Sequence, residues 1–340
     1  MSVLNVDKIQ SQAGNGLVSA SGFVKADNDS VVFAKTGNNS AEIKGGTVVA
    51  FEDGAQVRFN TNTGITMPSL SAGTDYAIWV APDGTLEADT SFTSAPTAGG
   101  RKIGGFHYAP GGNATGTSGG NTTNQINEYS FWDLKYRPSC EDPRGMTLVS
   151  DGFWADIYLL NTNPDVNGTS AFGVTIADGS SPPIIPAAFG GNGSTDYGSF
   201  KWYECQEVFA AYGKKAPTYA EFMALAYGVT EETDRGSDPG TTQLDAARTS
   251  KWGVIQATGN LRVWGRDVIA DGTGSAAFRD IAEGRGEILT YNDDLRAGFF
   301  GGTWDDGALA GSRSANWDIS VADSSFTVSG RGVCDHLVLA

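Results

Sequence analysis

Apolar and polar residues alternate in short runs between residues 23 and 101, and Asn, Asp and Gly residues separate these runs. Alternation with a period of two is typical of strands that bury one face. The runs cover residues 31–33, 41–43, 47–51, 57–59 and 76–80. Short strands at this spacing predict an antiparallel β-sandwich domain over residues 23–125.

Two stretches in the second half of the chain have apolar residues at helical spacing instead. Within residues 202–213 this spacing places an apolar stripe on one helix face, and Gly213 is a typical C-terminal stop. A second helix is predicted to begin at Thr218, because Glu221 follows three residues later and completes a capping box. Its own apolar stripe ends before Gly228.

The other apolar runs of the second half are strand-like. They cover residues 129–136, 146–158, 252–255, 261–264 and 332–339, and a turn is predicted at 258–260. Strands therefore outnumber helices throughout. The predicted fold class is mostly β with some α (α+β).

Three segments differ from this pattern. Residues 1–22 are short, polar and rich in Gly and Ser, which predicts either an N-terminal attachment arm or a frayed terminus. Residues 109–124 are low in complexity and predict a linker or a long surface loop. Residues 301–332 are polar and turn-rich between apolar runs, a pattern typical of loops that a rigid scaffold displays.

Charge and composition exclude several classes of partner. Lys and Arg total 23 against 39 Asp and Glu, so the net charge of −16 opposes binding to nucleic acid. No apolar run approaches the roughly 18 residues that span a bilayer, so membrane insertion is not expected. The three cysteines lack the spacing of a zinc site and are predicted to be buried thiols.

The adjacent residues Cys334, Asp335 and His336 have the chemistry of a nucleophile, an orienting acid and a base. In an extended strand, however, successive side chains point to opposite faces, so Asp335 faces away from the other two. Cys334 and His336 would lie roughly 7 Å apart along the strand, too far for direct activation. The sequence thus predicts no catalytic residues here.

The sequence also lacks a complete metal site. Calcium-dependent sugar binding needs a Glu-Pro-Asn or Gln-Pro-Asp tripeptide, which is absent, although Asn292 and Asp293 could form the later pair. Residues 165–168 and 271–272 are similar to fragments of calcium loops but lack the bidentate Glu. No cofactor is predicted, a structural calcium ion is left open, and no metal ligand is assigned.

Several motifs of the second half are recognisable together. Residues 301–304 (GGTW), 311–313 (GSR) and 331–337 (RGVCDHL) closely resemble the C-terminal variable region of the major tropism determinant family. These are phage receptor-binding proteins that retroelements diversify. Residues 104–110 (GGFHYAP), 142–148 (DPRGMTL), 153–158 (FWADIY) and 250–254 (SKWGV) are similar to the same family. The resemblance covers residues 23–340, with a poorer match over 231–286.

The resemblance implies a homotrimeric virion protein at the tip of a tail fibre, made in the host cytoplasm and acting outside the cell. Residues 126–340 would form a C-type lectin-fold domain, and residues 1–22 would join other phage tail proteins. The formylglycine-generating enzyme shares this fold class, but its thiol chemistry is not expected, because the three cysteines here occur singly.

The family's variable positions can be carried over without a gap between residues 301–302 and 331–332. They fall on Thr303, Asp305, Asp306, Gly307, Leu309, Asn316, Asp318, Ile319, Asp323, Ser325, Thr327 and Val328. The resemblance implies that these positions contact a host cell-surface protein or glycan, while Trp304 and Trp317 act as buried anchors. The alternatives are a structural tail or baseplate protein that touches no receptor, and an envelope-degrading enzyme.

Overall fold

A computed structural model of the chain describes residues 22–270, 275–279, 288–291 and 295–337. Except for its last residue, the predicted arm of residues 1–22 lies outside the described residues. The described part is mostly β with few helices, which confirms the predicted composition of elements.

Residues 23–133 form eleven short strands, and each of the five predicted runs overlaps one of them. The strands are β1 (Phe23–Val24), β2 (Phe33–Gly37), β3 (Ser40–Ile43), β4 (Thr47–Ala50), β5 (Gln56–Phe59), β6 (Thr63–Gly64), β7 (Thr74–Val80), β8 (Leu86–Asp89), β9 (Arg101–Pro110), β10 (Asn124–Ile126) and β11 (Trp132–Asp133). Antiparallel pairing gives three sheets with the orders β1-β4-β5, β2-β3-β6 and β10-β9-β7-β8, and β11 also pairs with β9. Their apolar faces share one core, which includes Phe33, Ile43 and Phe106.

The largest of these sheets continues past the predicted domain boundary at residue 125. Strand β10 spans that boundary, and β11 places Trp132 opposite Gly105 of β9. A Cβ on Gly105 would lie 3.0 Å from the Trp132 ring and 2.7 Å from a backbone oxygen, so only glycine allows this close approach. Strand pairing therefore extends the first unit to Asp133.

The low-complexity segment after β9 is a packed loop rather than a free linker. The backbone N–H of Gly119 donates to the Gly228 carbonyl at 2.9 Å, and that of Gly120 donates to the Ala246 carbonyl at 2.9 Å. Ala114, in the same loop, is only 4% exposed. Of the two predicted alternatives, the structure has the long loop, and this loop lies against the second half of the chain.

A buried hydrogen-bond chain also joins the two halves. The His107 imidazole has its Nδ1 3.0 Å from Asp75 Oδ1 and its Nε2 3.0 Å from the Tyr158 hydroxyl. Burial raises the pKa of Tyr158 well above its ordinary value, so this hydroxyl keeps its proton. This series of hydrogen bonds gives partners to the polar groups of His107 and Tyr158, which would otherwise be costly to bury.

The second half contains nine strands and three α-helices in its described residues. They are β12 (Met146–Val149), β13 (Phe153–Asp156), α1 (Pro164–Asn167), α2 (Trp202–Ala211), α3 (Tyr219–Leu225), β14 (Arg262–Ala270), β15 (Ala276–Arg279), β16 (Ile288–Tyr291), β17 (Leu295–Phe300), β18 (Ala315–Ser320), β19 (Val328–Ser329) and β20 (Val333–Asp335). The main sheet has the order β18-β17-β14-β19, while β12, β13 and β20 form a second sheet.

Both predicted helices are confirmed as α2 and α3. At the start of α3 the Thr218 hydroxyl accepts from the Glu221 N–H at 3.2 Å, and the Glu221 carboxylate accepts from the Thr218 N–H at 2.7 Å. This reciprocal pair is the capping box that the sequence predicts. Phe222 and Leu225 on the apolar stripe are fully buried.

The predicted strand at 252–255 is wrong. The Ser250 N–H donates to the Val254 carbonyl at 2.9 Å, which closes a turn, and Gly253 adopts a φ of 80°. Trp252 turns away to donate its Nε1 to the Ala224 carbonyl at 2.9 Å. An apolar run with glycine at a left-handed position thus forms a buried turn. The last predicted strand is also shorter, since β20 ends at Asp335, and residues 338–339 lie outside the described residues.

Candidate functional site

The segment 301–332 links the main sheet to β20 and supplies strands β18 and β19 on the way. Its start is tied to the core: the Gly259 N–H donates to the Gly301 carbonyl at 3.1 Å, and the Gly301 N–H donates to Ser314 at 2.9 Å. Gly301 has a φ of 97°, and a Cβ there would lie 2.9 Å from the Phe222 ring. A glycine is therefore required at this position.

The twelve predicted contact residues do not share one degree of exposure. The exposed ones are Asp305, Gly307, Leu309, Asp318 and Asp323. The half-buried ones are Asp306, Asn316, Ile319, Ser325 and Thr327. Thr303 and Val328 are each 1% exposed. Ten of the twelve positions therefore have surface within the chain, and their role in binding stays a prediction.

The expectation that Thr303 and Val328 lie on the outer face is wrong. Val328 packs in the apolar core with Trp264 and Phe299. Thr303 pairs with Asn260 as an isolated parallel bridge, and its side chain is enclosed. Neighbouring residues of an extended segment face opposite sides, so where Thr327 is partly exposed Val328 must point inward. The position of a residue in the sequence of the segment therefore does not show whether its side chain is buried or exposed.

Asp306 supports the segment from within rather than lying free on its face. Both of its carboxylate oxygens accept from Arg262 Nη2, at 2.8 and 2.7 Å. One of them also accepts from the Thr303 N–H at 2.6 Å. Asp318 pairs with Arg296, but its side chain remains 82% exposed. Asp318 therefore remains available to a partner, whereas Asp306 holds the loop in place.

Residues 231–236, part of the region that resembles the family poorly, lie beneath the segment. Glu231 accepts from the Ser312 N–H at 2.8 Å and also from its hydroxyl. Asp234 accepts from the Gly307 N–H at 2.6 Å. The Gly236 N–H donates to the Trp304 carbonyl at 2.8 Å. Apart from the bond of the Ser312 hydroxyl, these bonds use backbone groups of the segment, so they restrain its path whatever side chains it carries at the other positions.

An exposed aromatic residue that the sequence interpretation missed lies within the segment. Phe326 is 49% exposed and stands between the half-buried Ser325 and Thr327. Its ring centroid is 6.4 Å from that of Trp304, which is half-buried, and Trp304 Nε1 is a buried donor without a hydrogen-bond partner within the described residues. The signal in the sequence that could have identified Phe326 is that it is an apolar residue among polar loop residues. Trp317 packs edge-on against Phe300 with centroids 5.6 Å apart.

The residues considered for catalysis do not converge. Cys334 is 2% exposed, whereas Asp335 points outward and its carboxylate lies 2.8 Å from the Lys215 amine. His336 Nδ1 accepts from Trp154 Nε1 at 2.9 Å. The prediction that Asp335 faces away from Cys334 is confirmed, and the arrangement offers no relay of protons to the thiol.

The residues considered for calcium have protein partners or lie outside the described part. Asp165 accepts from the Tyr212 hydroxyl, and Asn167 donates to Asn161 at 3.2 Å. Residues 271–272 and 292–293 lie outside the described residues. Within the described ranges, no three His, Cys, Asp or Glu side chains are grouped to hold a metal ion, and no helix is long and apolar enough to cross a bilayer.

Comparisons with known proteins agree with the motifs and the fold. A family model described as "Mtd second domain" matches residues 31–133, the range over which the first three sheets form. The chain is 49% identical over 330 residues to a "Tail fiber receptor-binding protein" of Bordetella phage BPP-1, covering 93% of this chain and 85% of that protein. The chain belongs to the major tropism determinant family.

Solved structures of the family extend this similarity to three dimensions. The "Major Tropism Determinant U1 Variant" has a TM-score of 0.88 and 49% identity, over 93% of this chain and 86% of that one. The M1 variant has the same TM-score and 48% identity, over 94% of this chain and 86% of that one. The major tropism determinant resemblance of the motifs is thereby confirmed across most of the chain.

Proposed function

We propose that this chain is a virion protein of a phage tail fibre that attaches the particle to a receptor on the host cell surface, by binding rather than catalysis. The observation that carries the proposal is the exposed edge formed by β18 and its adjoining loops. Glu231 and Asp234 hold the backbone of these loops, and Arg262 holds the Asp306 side chain. The name of the Bordetella phage relative supports this role. The proposed receptor is a host surface protein or glycan.

The proposed architecture follows the same family. Residues 126–340 would form a C-type lectin-fold domain, residues 23–125 with the strands after them a β-sandwich, and residues 1–22 the attachment to other tail proteins. The proposed oligomer is a homotrimer on the fibre tip. Several weak contacts made together would raise the overall affinity by roughly 10² to 10⁴.

The energetics of the segment favour a surface whose specificity can change without loss of the fold. Substitutions at exposed positions such as Leu309 and Asp323 shift stability by less than about 0.5 kcal/mol. The hydrogen bonds that hold the segment are accepted by carboxylates of Asp234 and Glu231, which lie outside it, and of Asp306. Their donors are mostly backbone N–H groups of the segment. Binding chemistry can therefore vary at the exposed positions while Thr303, Asp306 and Val328 preserve the framework.

The charge of the exposed face indicates the chemistry of its partner. Asp305, Asp318 and Asp323 present carboxylates, and the chain as a whole carries a charge of −16. Such a face is complementary to a basic or donor-rich patch. Leu309, which is 76% exposed, and Phe326 supply apolar contact beside these carboxylates.

A triple variant tests the proposed site. We expect Leu309→Ser, Asp318→Ser and Asp323→Ser together to abolish capture of the chain by envelope extracts of the host cell. The three side chains are exposed, and solvent screens the pair of Asp318 with Arg296, so the melting temperature should change by only a few degrees. Pull-down and thermal unfolding are measured on the same preparations.

A matched control removes the same charge and one apolar side chain elsewhere. Val166→Ser, Asp29→Ser and Glu52→Ser change exposed residues outside the segment, and Val166 is 75% exposed. This control should be captured like the unchanged chain. If the site variant is still captured while its fold is intact, the segment is not the contact surface, and a structural role without receptor contact is favoured.

Phe326 offers a single-residue test of the same face. Because aromatic residues at the centre of an interface often contribute more than about 1.4 kcal/mol, Phe326→Ser is expected to weaken host binding about tenfold or more. The exchange Phe189→Ser is the control, since Phe189 is 43% exposed and lies outside the segment. Binding to intact host cells is measured by titration, and equal affinity of both variants would contradict a contact role for Phe326.

A further inference from the structure

Two of the three cysteines occupy facing positions on neighbouring antiparallel segments. The Ser139 N–H donates to the Asp335 carbonyl at 2.9 Å, and the Leu337 N–H donates to the Arg137 carbonyl at 2.9 Å. These bonds flank the bridged pair of Pro138 and His336, which is therefore a non-hydrogen-bonded pair. Continued by two residues, this register would place Cys140 opposite Cys334.

Facing positions of this kind ordinarily have the separation that a disulfide needs. In a non-hydrogen-bonded antiparallel pair the Cα atoms lie roughly 4.5 Å apart and the side chains approach closely. Disulfides join Cα atoms about 4.4 to 6.8 Å apart. The side chains of Cys140 and Cys334 belong to one buried cluster, which also contains Met146 and Trp154. Both residues are free thiols in this structure.

The surroundings favour a thiolate on one member of the pair. The neighbouring Cys140 thiol lowers the pKa of Cys334, and the Lys214 ammonium acts in the same direction, while burial opposes both. The pKa of the Cys140 thiol is raised in turn. Cys205 in α2 differs, since burial raises the pKa of its thiol well above the ordinary value. The thiolate is the nucleophile of disulfide exchange, so Cys334 is the residue that would react first.

We propose that Cys140 and Cys334 form a disulfide when the chain meets a low-molecular-weight disulfide such as oxidised glutathione. The Cys334 thiolate attacks one sulfur of the oxidant, whose S–S bond breaks and releases one thiolate. Cys140 loses its proton and attacks the Cys334 sulfur, which releases the second thiolate. The two protein thiols give up two electrons and two protons, and the oxidant becomes two thiols.

The bond would fix the end of the chain to its middle. Strand β20 follows directly after the segment 301–332, and Cys140 lies in the turn region between β11 and β12. A bridge between residues so distant in sequence restricts the unfolded chain strongly. The oxidised protein should therefore melt at a higher temperature than the reduced protein, and the carboxyl-terminal anchor of the segment should open less often. This inference does not depend on receptor binding.

The experiment uses the full folded chain in a glutathione redox buffer at mildly alkaline pH. After acid quenching, the chain is unfolded, alkylated and weighed by mass spectrometry. We expect one free thiol, a mass lower by two hydrogen atoms before alkylation, and a proteolytic peptide that links Cys140 to Cys334 and disappears on reduction. Thermal unfolding of the oxidised and reduced forms is compared in parallel.

Two variants, together with the linked and alkylated peptides of the unchanged chain, decide whether the disulfide forms. Cys205→Ser should form the same linked peptide with no free thiol left, whereas Cys334→Ser should form no link and show no rise in melting temperature. Three alkylated thiols in the unchanged chain overturn the proposal. So does a glutathione adduct on Cys334 without the link, or a link that includes Cys205. Peptide mapping of the unchanged chain decides whether the disulfide forms. The test therefore remains valid even if Cys334→Ser folds poorly.

Discussion

Replacing Arg331 with Met is expected to lower the free energy of unfolding by about 3 to 5 kcal/mol. Arg331 is fully buried, and its guanidinium donates to four backbone carbonyl oxygens. These belong to Asp156 and Ile157 at 2.8 Å, Ile255 at 2.8 Å and Gln256 at 3.0 Å. Burial lowers the pKa of Arg331 to about 9, which still leaves the group charged at neutral pH. Without it, four buried acceptors lose a charged donor.

The measurement is urea unfolding followed by tryptophan fluorescence. The control is Arg313→Met, because Arg313 is an exposed arginine in the same segment, and its backbone carbonyl, which accepts from Tyr219, is unaffected by the exchange. This control should change the unfolding free energy by less than about 0.5 kcal/mol. Equal stability of the two variants would mean that the carbonyls of residues 156–157 and 255–256 find other donors.

Replacing Lys214 with Met is expected to cost a similar amount, about 3 to 5 kcal/mol. The Lys214 amine lies 2.5 Å from Asp156 Oδ1 and 2.7 Å from the Thr169 hydroxyl, and the Asp156 side chain is 0% exposed. Removing the amine leaves a buried carboxylate without its counter-ion. The double variant with Asp156→Asn should be less destabilised than the sum of the two single variants, because the unpaired charge is gone.

The pH dependence of this pair has a definite sign. Burial alone lowers the pKa of Lys214, but Asp156, together with Cys140 and Cys334, outweighs burial and raises the pKa above the ordinary value. Stability from the pair is thus complete below the unfolded lysine pKa of about 10.4 and is lost as the pH rises through the folded value. Because Lys214 stays protonated in both the folded and the unfolded chain, its own contribution to the stability of the unchanged chain should stay constant from about pH 6 to pH 9.

The neighbouring Lys215 provides the matched control for the buried pair. Its amine also pairs with a carboxylate, that of Asp335 at 2.8 Å, but the two side chains are 47% and 72% exposed. Solvent screens such a pair, so Lys215→Met should change the unfolding free energy by less than about 1 kcal/mol. A large effect at Lys215 with a small one at Lys214 would reverse the assignment of the stabilising pair.

Local patterns along the chain were sufficient for elements whose stability is local. The capping box of Thr218 and Glu221 placed the start of α3 correctly, because both partners lie within one turn of helix. Alternating runs placed five of the eleven strands of the first three sheets (β2, β3, β4, β5 and β7), since the period of two reflects a buried face. The same pattern failed at Trp252, where the left-handed Gly253 turns an apolar run into a loop.

At the candidate site, the properties that the sequence predicted differ clearly from those that only the fold decided. The motifs located segment 301–332, and its polar composition indicated an exposed surface. Five of its twelve predicted positions are exposed, five are half-buried and two are buried. Thr303 and Val328 point inward because of contacts with residues remote in sequence. The ion pair of Asp306 with Arg262 also joins residues that are far apart in sequence. No pattern within the segment contains that information.

The buried charges belong to the same category. Composition shows that Arg331 and Lys214 exist, but polar residues of this kind are ordinarily exposed, so nothing local marks them as interior. Each is buried because Asp156 and the surrounding carbonyls converge on it from separate strands and loops. Sequence therefore determined the elements and the family, whereas the packed fold alone decided which side chains face the solvent and which hold the scaffold together.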